Sequence, residues 1–315
     1  MVASMRGKVI KSTGSWFIVR VENNAILQCK IKGKFRMQGI KTTNPIAVGD
    51  EVEVEQTQKT DDPVITKIYP RQNYIIRKSV NLSKEAHILA SNIDQAMLFV
   101  TLAFPETSLS FIDRFLITAE AYKIPCVLIF NKIDLYDEET LEDLEAYQMM
   151  YEALSVPCLS TSASCGDGLE EVKARLKDKT TMISGHSGVG KSTLINALDP
   201  ALDIKTDEIS EIHLQGKHTT TFAELHELYF GASIIDTPGV RGFGLVYFEK
   251  EELRHLFPEF SSYAEACKFS NCMHINEPKC AVKQAVETGE LFETRYENYL
   301  QFVEDVEENQ KSSYR

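Results

Sequence analysis

Apolar and polar positions change rhythm twice along this chain, and each rhythm predicts a different kind of domain. From residue 8 to residue 69 the apolar residues fall in short alternating or continuous runs, at 8–12, 15–22, 25–31, 51–56 and 64–69, separated by turn signals such as Glu22-Asn23-Asn24 and Gly49-Asp50. Such runs read as short strands. Five of them in one small region predict an all-β barrel of the OB type, a fold whose open face often takes single-stranded or irregular nucleic acid. Further on, apolar runs at 126–130, 156–159, 180–184 and 232–235 read as buried strands and 191–198 as a helix, which together predict an open α/β sheet. Beyond Gly244 the spacing turns helical at 253–263 and 290–306, with Phe292, Tyr296, Tyr299 and Val303 on one stripe. The expected division is a barrel over 1–72, an α/β domain over 73–245 and a helical domain over 246–315.

The α/β region carries its chemistry where strands end. Gly185-His186-Ser187-Gly188-Val189-Gly190-Lys191-Ser192 lies between the 180–184 strand and the 191–198 helix, the context a phosphate loop requires. Its glycines let backbone N–H groups turn inward at a helix N-terminus whose dipole favours negative charge. Lys191 is expected to reach the β- and γ-phosphates and Ser192 to bind magnesium; a glycine-rich turn without a ligand is the plain alternative. Such a loop touches only what ATP and GTP share, so the base must be read elsewhere. Asn131-Lys132-Ile133-Asp134, at the carboxyl end of the 126–130 strand, supplies that discrimination. Asp134 can accept hydrogen bonds from the guanine N1–H and exocyclic amine, which adenine does not present together, so adenine would leave the carboxylate unpaired. Asn131 can bond the other edge of the base, and the Lys132 stem can pack on the ring.

Ser160-Thr161-Ser162-Ala163 follows the 156–159 strand and either supports the base from its other side or is an ordinary Ser/Thr turn. Asp236-Thr237-Pro238-Gly239 ends the 232–235 strand. Asp236 is expected to hold the magnesium water shell and the Gly239 N–H to sense the γ-phosphate, although Pro and Gly also suit a simple turn. Gly216-Lys217-His218-Thr219-Thr220-Thr221 lies in a polar stretch, where either Thr219 or Thr220 completes the magnesium shell as the first of two switches. Val240 stands where Ras-like GTPases carry the glutamine that orients the attacking water, which predicts slow intrinsic hydrolysis and dependence on a partner. His218 is the nearest candidate for that role, with a side chain suited to proton transfer near neutral pH; packing within a loop is the alternative.

The order of these motifs is itself informative. The guanine motif at 131–134 precedes the phosphate loop at 185–192, and the Asp-Thr-Pro-Gly motif follows, whereas a usual GTPase chain begins with its phosphate loop. The domain's ends have been joined and the chain reopened elsewhere. The competing enzyme is a P-loop ATPase or kinase whose Asn-Lys-x-Asp is accidental.

Composition adds a partner and a metal. The 315 residues carry a net charge of −12, yet residues 1–78 hold 14 Lys and Arg against 7 Asp and Glu, so the barrel is basic and the rest strongly acidic. Lys30, Lys32, Lys34, Arg36 and Lys41 cluster around one loop, with Trp16 and Phe35 as stacking or packing aromatics. This pattern fits localised RNA contact, against the plain alternative of a solvated face with Trp16 in the core. No segment has a signal peptide's order and the apolar runs are too short to span a membrane, so a cytoplasmic, monomeric protein without membrane association is expected. Of seven cysteines, Cys29, Cys126, Cys158 and Cys165 are dispersed and expected to be structural. Cys267, Cys272, His274 and Cys280 instead fall within fourteen positions, the donor set of a closed tetrahedral zinc site, unless they are unrelated loop residues. One structural zinc would hold together a helical domain too small to bury a large core.

Taken together, the basic barrel, the permuted motifs and the Cys-x4-Cys-x-His-x5-Cys spacing resemble the ribosome small-subunit-dependent GTPase A family, RsgA or YjeQ, over nearly the whole chain. The resemblance implies a bacterial cytoplasmic GTPase that binds the small ribosomal subunit and its rRNA late in maturation and is activated by it. It implies nucleotide contacts at Asn131, Lys132, Ile133 and Asp134 and from Gly185 through His186, Ser187, Gly188, Val189, Gly190, Lys191 and Ser192 to Thr193, with GTP or GDP and Mg2+ as ligands. Ser162, Ala163, Thr219, Thr220, Asp236 and Gly239 complete the expected nucleotide set. The resemblance further implies zinc on Cys267, Cys272, His274 and Cys280 and a catalytic role for His218. A reading from another class remains open, a zinc-stabilised RNA-binding chaperone in which GTP only regulates affinity.

Overall fold

The computed structural model describes residues 3–13, 15–31, 45–56, 62–78, 86–202, 223–236 and 248–313. Strands β1 (Ala3–Ser12), β2 (Phe17–Val21), β3 (Ile26–Ile31), β4 (Glu51–Gln56) and β5 (Val64–Ile68) form the barrel. β1 pairs with both β2 and β4, β2 with β3, β3 with β5 in parallel, and β5 with β4, so the circuit closes. β1 serves both partners through its two edges. Gly7 sits opposite both Val21 and Val52, and a Cβ there would lie 2.6 Å from Val19 Cγ1 and 2.7 Å from the Arg20 carbonyl oxygen. Only glycine lets the strands approach so closely. Alternate residues of β2 and β4 point inward, where Phe17, Val19, Val21, Val52 and Val54 pack with Val9, Cys29 and Ile65. Trp16 is not in that core; it is half-exposed with the Lys30 ammonium 4.5 Å from its ring centre.

A hairpin that the apolar pattern does not announce follows, β6 (Tyr74–Lys78) and β7 (Ala86–Ser91). The chain then enters β8 (Gln95–Val100), buried throughout, and runs through α1 (Leu109–Ala121), β9 (Cys126–Asn131), a 3-10 turn (Ile133–Leu135), α2 (Glu138–Ala153), β10 (Cys158–Thr161), α3 (Leu169–Leu176), β11 (Thr180–Gly185) and α4 (Lys191–Leu198). β12 (Glu224–Glu227) and β13 (Ser233–Asp236) complete the sheet in the order β10-β9-β8-β11-β13-β12, parallel except for β12. Because side chains alternate along a strand, Ala96, Leu98 and Val100 of β8 join one core with α1 and α2. Met97 and Phe99 join the other with α3 and α4. β12 also meets β1 at Lys11 opposite Glu224, so barrel and α/β sheet are continuous. Beside that junction Arg71 and Asp50 form a buried ion pair, with Ser91 donating to Asp50 Oδ1 at 2.6 Å.

The C-terminal region comprises α5 (Lys250–Leu253), α6 (Pro258–Ala264), α7 (Ala281–Glu287) and α8 (Glu293–Ser313). The helix expected over 253–263 is split, because Pro258 opens a new first turn where its missing N–H costs nothing. The expected stripe also needs correction: Phe292 precedes α8 and is exposed, and the buried face is Tyr299, Phe302, Val303 and Val306. Those side chains pack against Leu253, Phe257, Phe260 and Val282, with Ile117 contributed by α1. Among the described residues no helix is long and apolar enough to cross a membrane.

Candidate nucleotide-binding site and metal centre

The carboxyl ends of β9, β10 and β11 bring three sequence motifs together. Gly190, at φ +90°, caps α4, and a Cβ there would lie 2.4 Å from Asn131 Nδ2, so glycine is required by both conformation and space. Lys191 folds its ammonium back onto the carbonyls of Gly185 at 2.8 Å and His186 at 2.7 Å. Spanning these carbonyls holds the loop curled, with the α4 N-terminus behind it, the arrangement that receives phosphate. Ser192 is buried in the first helical turn and Thr193 is exposed beside it. Val189 anchors the loop in the core, while Ser187 and Gly188 face solvent.

Asn131 joins the loop to the base-reading strand. Its Nδ2 donates to the Val189 carbonyl at 2.8 Å, and its Oδ1 accepts from Thr161 Oγ1 at 2.9 Å. Its backbone carbonyl accepts from the Tyr136 hydroxyl at 2.9 Å. Lys132 takes a left-handed conformation (φ 64°) that turns the chain into the 3-10 segment bearing Ile133 and Asp134. Its ammonium donates to the Phe104 carbonyl at 2.6 Å. Asp134 is exposed, and its two carboxylate oxygens accept from Ser162 Oγ at 2.5 Å and Ser164 Oγ at 3.0 Å. The Ser162 bond first, with help from Ser164, holds the Asp134 carboxyl below its ordinary pKa, so it is an acceptor at neutral pH. Ala163 lies half-buried in the same turn.

Several contributors are invisible to motif reading. Thr161 lies inside the Ser160–Ala163 motif, though the motif did not announce its bond to Asn131, and Ser164 directly follows that motif. Tyr136, Phe104 and Phe111 carry no motif signal; the first two enter through hydrogen bonds, and Phe111 through ring contact with His186, the centres 3.8 Å apart and the planes tilted by 33°. Asp236 ends β13 in register with Ile183 of β11, which brings the backbone of the first residue of the Asp-Thr-Pro-Gly motif beside the phosphate-loop strand. His218, Thr219, Thr220, Gly239 and Val240 lie outside the described residues, as do Lys32, Lys34, Phe35, Arg36 and Lys41.

A second cluster lies in the C-terminal region. The donor atoms of Cys267, Cys272, His274 and Cys280 all lie within 4.8 Å of one another. His274 Nδ1 is 3.4 Å from Cys280 Sγ and 3.6 Å from Cys267 Sγ, and the two sulfurs are 3.9 Å apart. Tetrahedral bonds of about 2.3 Å to sulfur and about 2.0 Å to nitrogen require ligand separations of this order, so the group fits a metal ion. Burial pushes the Cys272 thiol up to about 12 and lowers the His274 imidazole, so the protein alone favours neutral groups. A cation would reverse that preference at the thiols, and the neutral imidazole is already the ligating form. The turn is held by Glu277, which accepts from the Met273 and Ile275 amides, and by Tyr296 and Tyr299, whose hydroxyls donate to the His274 and Met273 carbonyls. None of the seven cysteines is in a disulfide; Cys29 is core, Cys126 and Cys158 are partly buried, and Cys165 is exposed, contrary to a structural role for all four.

Phosphate loop, guanine reader and strand order define a circularly permuted P-loop GTPase. The RsgA GTPase family model matches residues 68–246 and the RsgA N-terminal domain model matches 6–64. A curated relative from Christiangramia forsetii, named small ribosomal subunit biogenesis GTPase RsgA, is 55% identical, covering 97% of this chain and 98% of its own length. One of the same name from Bacteroides fragilis is 51% identical, covering 96% and 98%. Among solved structures, YjeQ from Thermotoga maritima superposes with a TM-score of 0.79 at 38% identity, covering 96% of this chain and 99% of its own. YloQ, described as a circularly permuted GTPase, gives 0.75 at 32%, covering 97% and 96%. The chain belongs to the RsgA GTPase family, and its enzymatic activity is GTP hydrolysis.

Proposed function

We propose that this GTPase binds the small ribosomal subunit late in its maturation, hydrolyses GTP when the subunit engages it, and then leaves. The names of its relatives support the subunit as partner. The observation that carries the nucleotide half is Asn131, which ties the guanine-reading segment to the phosphate loop in one framework. On this reading Asp134 reads the base, Lys191 meets the β- and γ-phosphates, and Ser192, Asp236 and one of Thr219 or Thr220 serve the magnesium that accompanies GTP and neutralises its phosphate charge. Ser162, Ala163, Thr193 and the Gly239 N–H complete the contacts. His218 positions water in place of the glutamine that Val240 replaces. Zinc is the ion for the Cys3His group, whose thiolate and imidazole donors favour it and leave no open position for catalysis. The basic barrel over 1–72 and the helical region over 246–315 contact rRNA on either side of the GTPase domain over 73–245, in a cytoplasmic monomer.

The test is the GTPase rate with and without purified small subunits, alongside co-sedimentation in a non-hydrolysable GTP analogue. We expect stimulation by small subunits and co-sedimentation with them; equal rates would sink the partner-activated reading. A His218→Ala variant that remained on subunits in GTP would show that hydrolysis drives release. Release of that variant at the wild-type rate would favour a chaperone in which GTP only regulates affinity.

A further inference from the structure

We infer that the loop before α1 and the first two turns of α1 position the nucleotide pocket against the C-terminal helical region, with Phe111 and Asp113 as the positioning residues. This rests on reading the pocket as the GTP site. The segment touches that pocket at three points. The Phe104 carbonyl receives the Lys132 ammonium at 2.6 Å, Pro105 Cδ lies 3.4 Å from where a Cβ on Gly188 would stand, and the Phe111 ring lies against His186 with centres 3.8 Å apart. It is held in shape by its own bonds. The Thr107 amide donates to the Thr101 carbonyl at 2.8 Å, and the Thr101 amide to Thr107 Oγ1 at 3.2 Å. Ser108 caps α1 by accepting from the Phe111 amide, which fixes where Phe111 projects.

Two residues beyond Phe111 the same helix is gripped from the other side. Asp113, almost fully buried, pairs with Arg295 of α8 at 2.7 Å and accepts from Asn298 Nδ2 at 2.6 Å and the Tyr151 hydroxyl at 3.0 Å. Arg295 also pairs with Glu259 of α6 at 2.8 Å. Arg114 pairs with Asp305 at 2.5 Å and lies over the Phe302 ring at 4.9 Å. A helix clamped this tightly cannot shift at one end alone, since buried ion pairs and close packing resist small displacements. A displacement of α8 therefore reaches the phosphate loop through Phe111 and His186, and nucleotide on that loop biases where α8 sits. This link runs through packed side chains of α1, α6 and α8, none of which belongs to the proposed switch segments.

The test is a double-mutant cycle on nucleotide affinity. Dissociation constants for fluorescent GDP and a fluorescent non-hydrolysable GTP analogue would be measured for the wild type, Phe111→Leu, Arg295→Lys and the double variant, with thermal melting of each. Coupling between sites typically spans about 5- to 150-fold, and we expect each single variant to weaken binding at least about 5-fold. We expect the double variant to fall well short of the product of the two effects. Unchanged affinity in folded single variants, or multiplicative effects in the double, would overturn the inference. If Arg295→Lys does not fold, Arg114→Ala removes the less buried pair and takes its place with the same two outcomes. Failure of the wild type itself to bind guanine nucleotide would instead refute the assignment of the pocket.

Discussion

Asn131 Nδ2 donates to the Val189 carbonyl at 2.8 Å, so the residue that opens the guanine motif also pins the phosphate loop. In a permuted chain these residues belong to segments in the reverse of the usual order, and the hydrogen bond restores their spatial relation. Replacing Asn131 by Ala leaves a buried carbonyl without its donor, which costs about 1–3 kcal/mol. We expect that loss in chemical denaturation, together with at least about tenfold weaker GDP binding by fluorescence titration.

Gly190→Ala tests the same contact from the other side. A Cβ at φ +90° is strained and would lie 2.4 Å from Asn131 Nδ2. The expected outcome is loss of GTP binding in calorimetry with circular dichroism little changed, because the loop end is displaced while the sheet is not.

Asp134→Asn should convert an acceptor pair into a mixed donor and acceptor. GTP affinity is expected to fall by a factor on the order of 10² to 10⁴, with xanthosine triphosphate gaining because its O2 accepts where guanine donates. Since Ser162 and Ser164 lower the Asp134 carboxyl, the ionised state persists below the ordinary carboxylate range. Its contribution is present above the unfolded pKa and is lost as pH falls through the lower folded value. Nucleotide titrations from pH 8 down to pH 5 should therefore show no loss that Asp134→Asn abolishes.

Removing metal should act on the C-terminal region first. Cys272 and Cys280 belong to its apolar core, so chelation or Cys280→Ser is expected to lower the melting temperature of that region before the barrel and sheet respond. Because burial raises the thiols, binding the ion must release protons, and metal affinity should rise with pH. Metal content by mass spectrometry across pH 5 to 8 checks the sign.

The junction of barrel and sheet offers a test of stability alone. Arg71 pairs with Asp50 through two guanidinium nitrogens, at 2.6 and 2.5 Å, and both side chains are buried. Arg71→Met removes the cation from the buried Asp50 carboxylate and leaves the Ser91 hydroxyl and the Ala47 amide donating to it, and a cost of about 3–5 kcal/mol is expected in urea denaturation.

Wherever a requirement is local, the sequence by itself determined the answer. Backbone approach to phosphate needs glycine, so Gly185, Gly188 and Gly190 announce the loop; soft metal donors need thiols and imidazole at short spacing, so Cys267, Cys272, His274 and Cys280 announce themselves. The five barrel strands are equally legible, because half-buried strands alternate. The β6–β7 hairpin left no such trace, and Pro258 divided a helix that apolar spacing alone had joined. What only the tertiary structure decided is which distant residues share a task. Thr161 on Asn131, Phe104 on Lys132, Phe111 on His186 and Arg295 on Asp113 are meetings between segments far apart in the chain. Chain order says little about such partners, since they are chosen by how helices pack on a sheet. In this permuted domain, the sheet recovers the adjacency that the sequence order had taken apart.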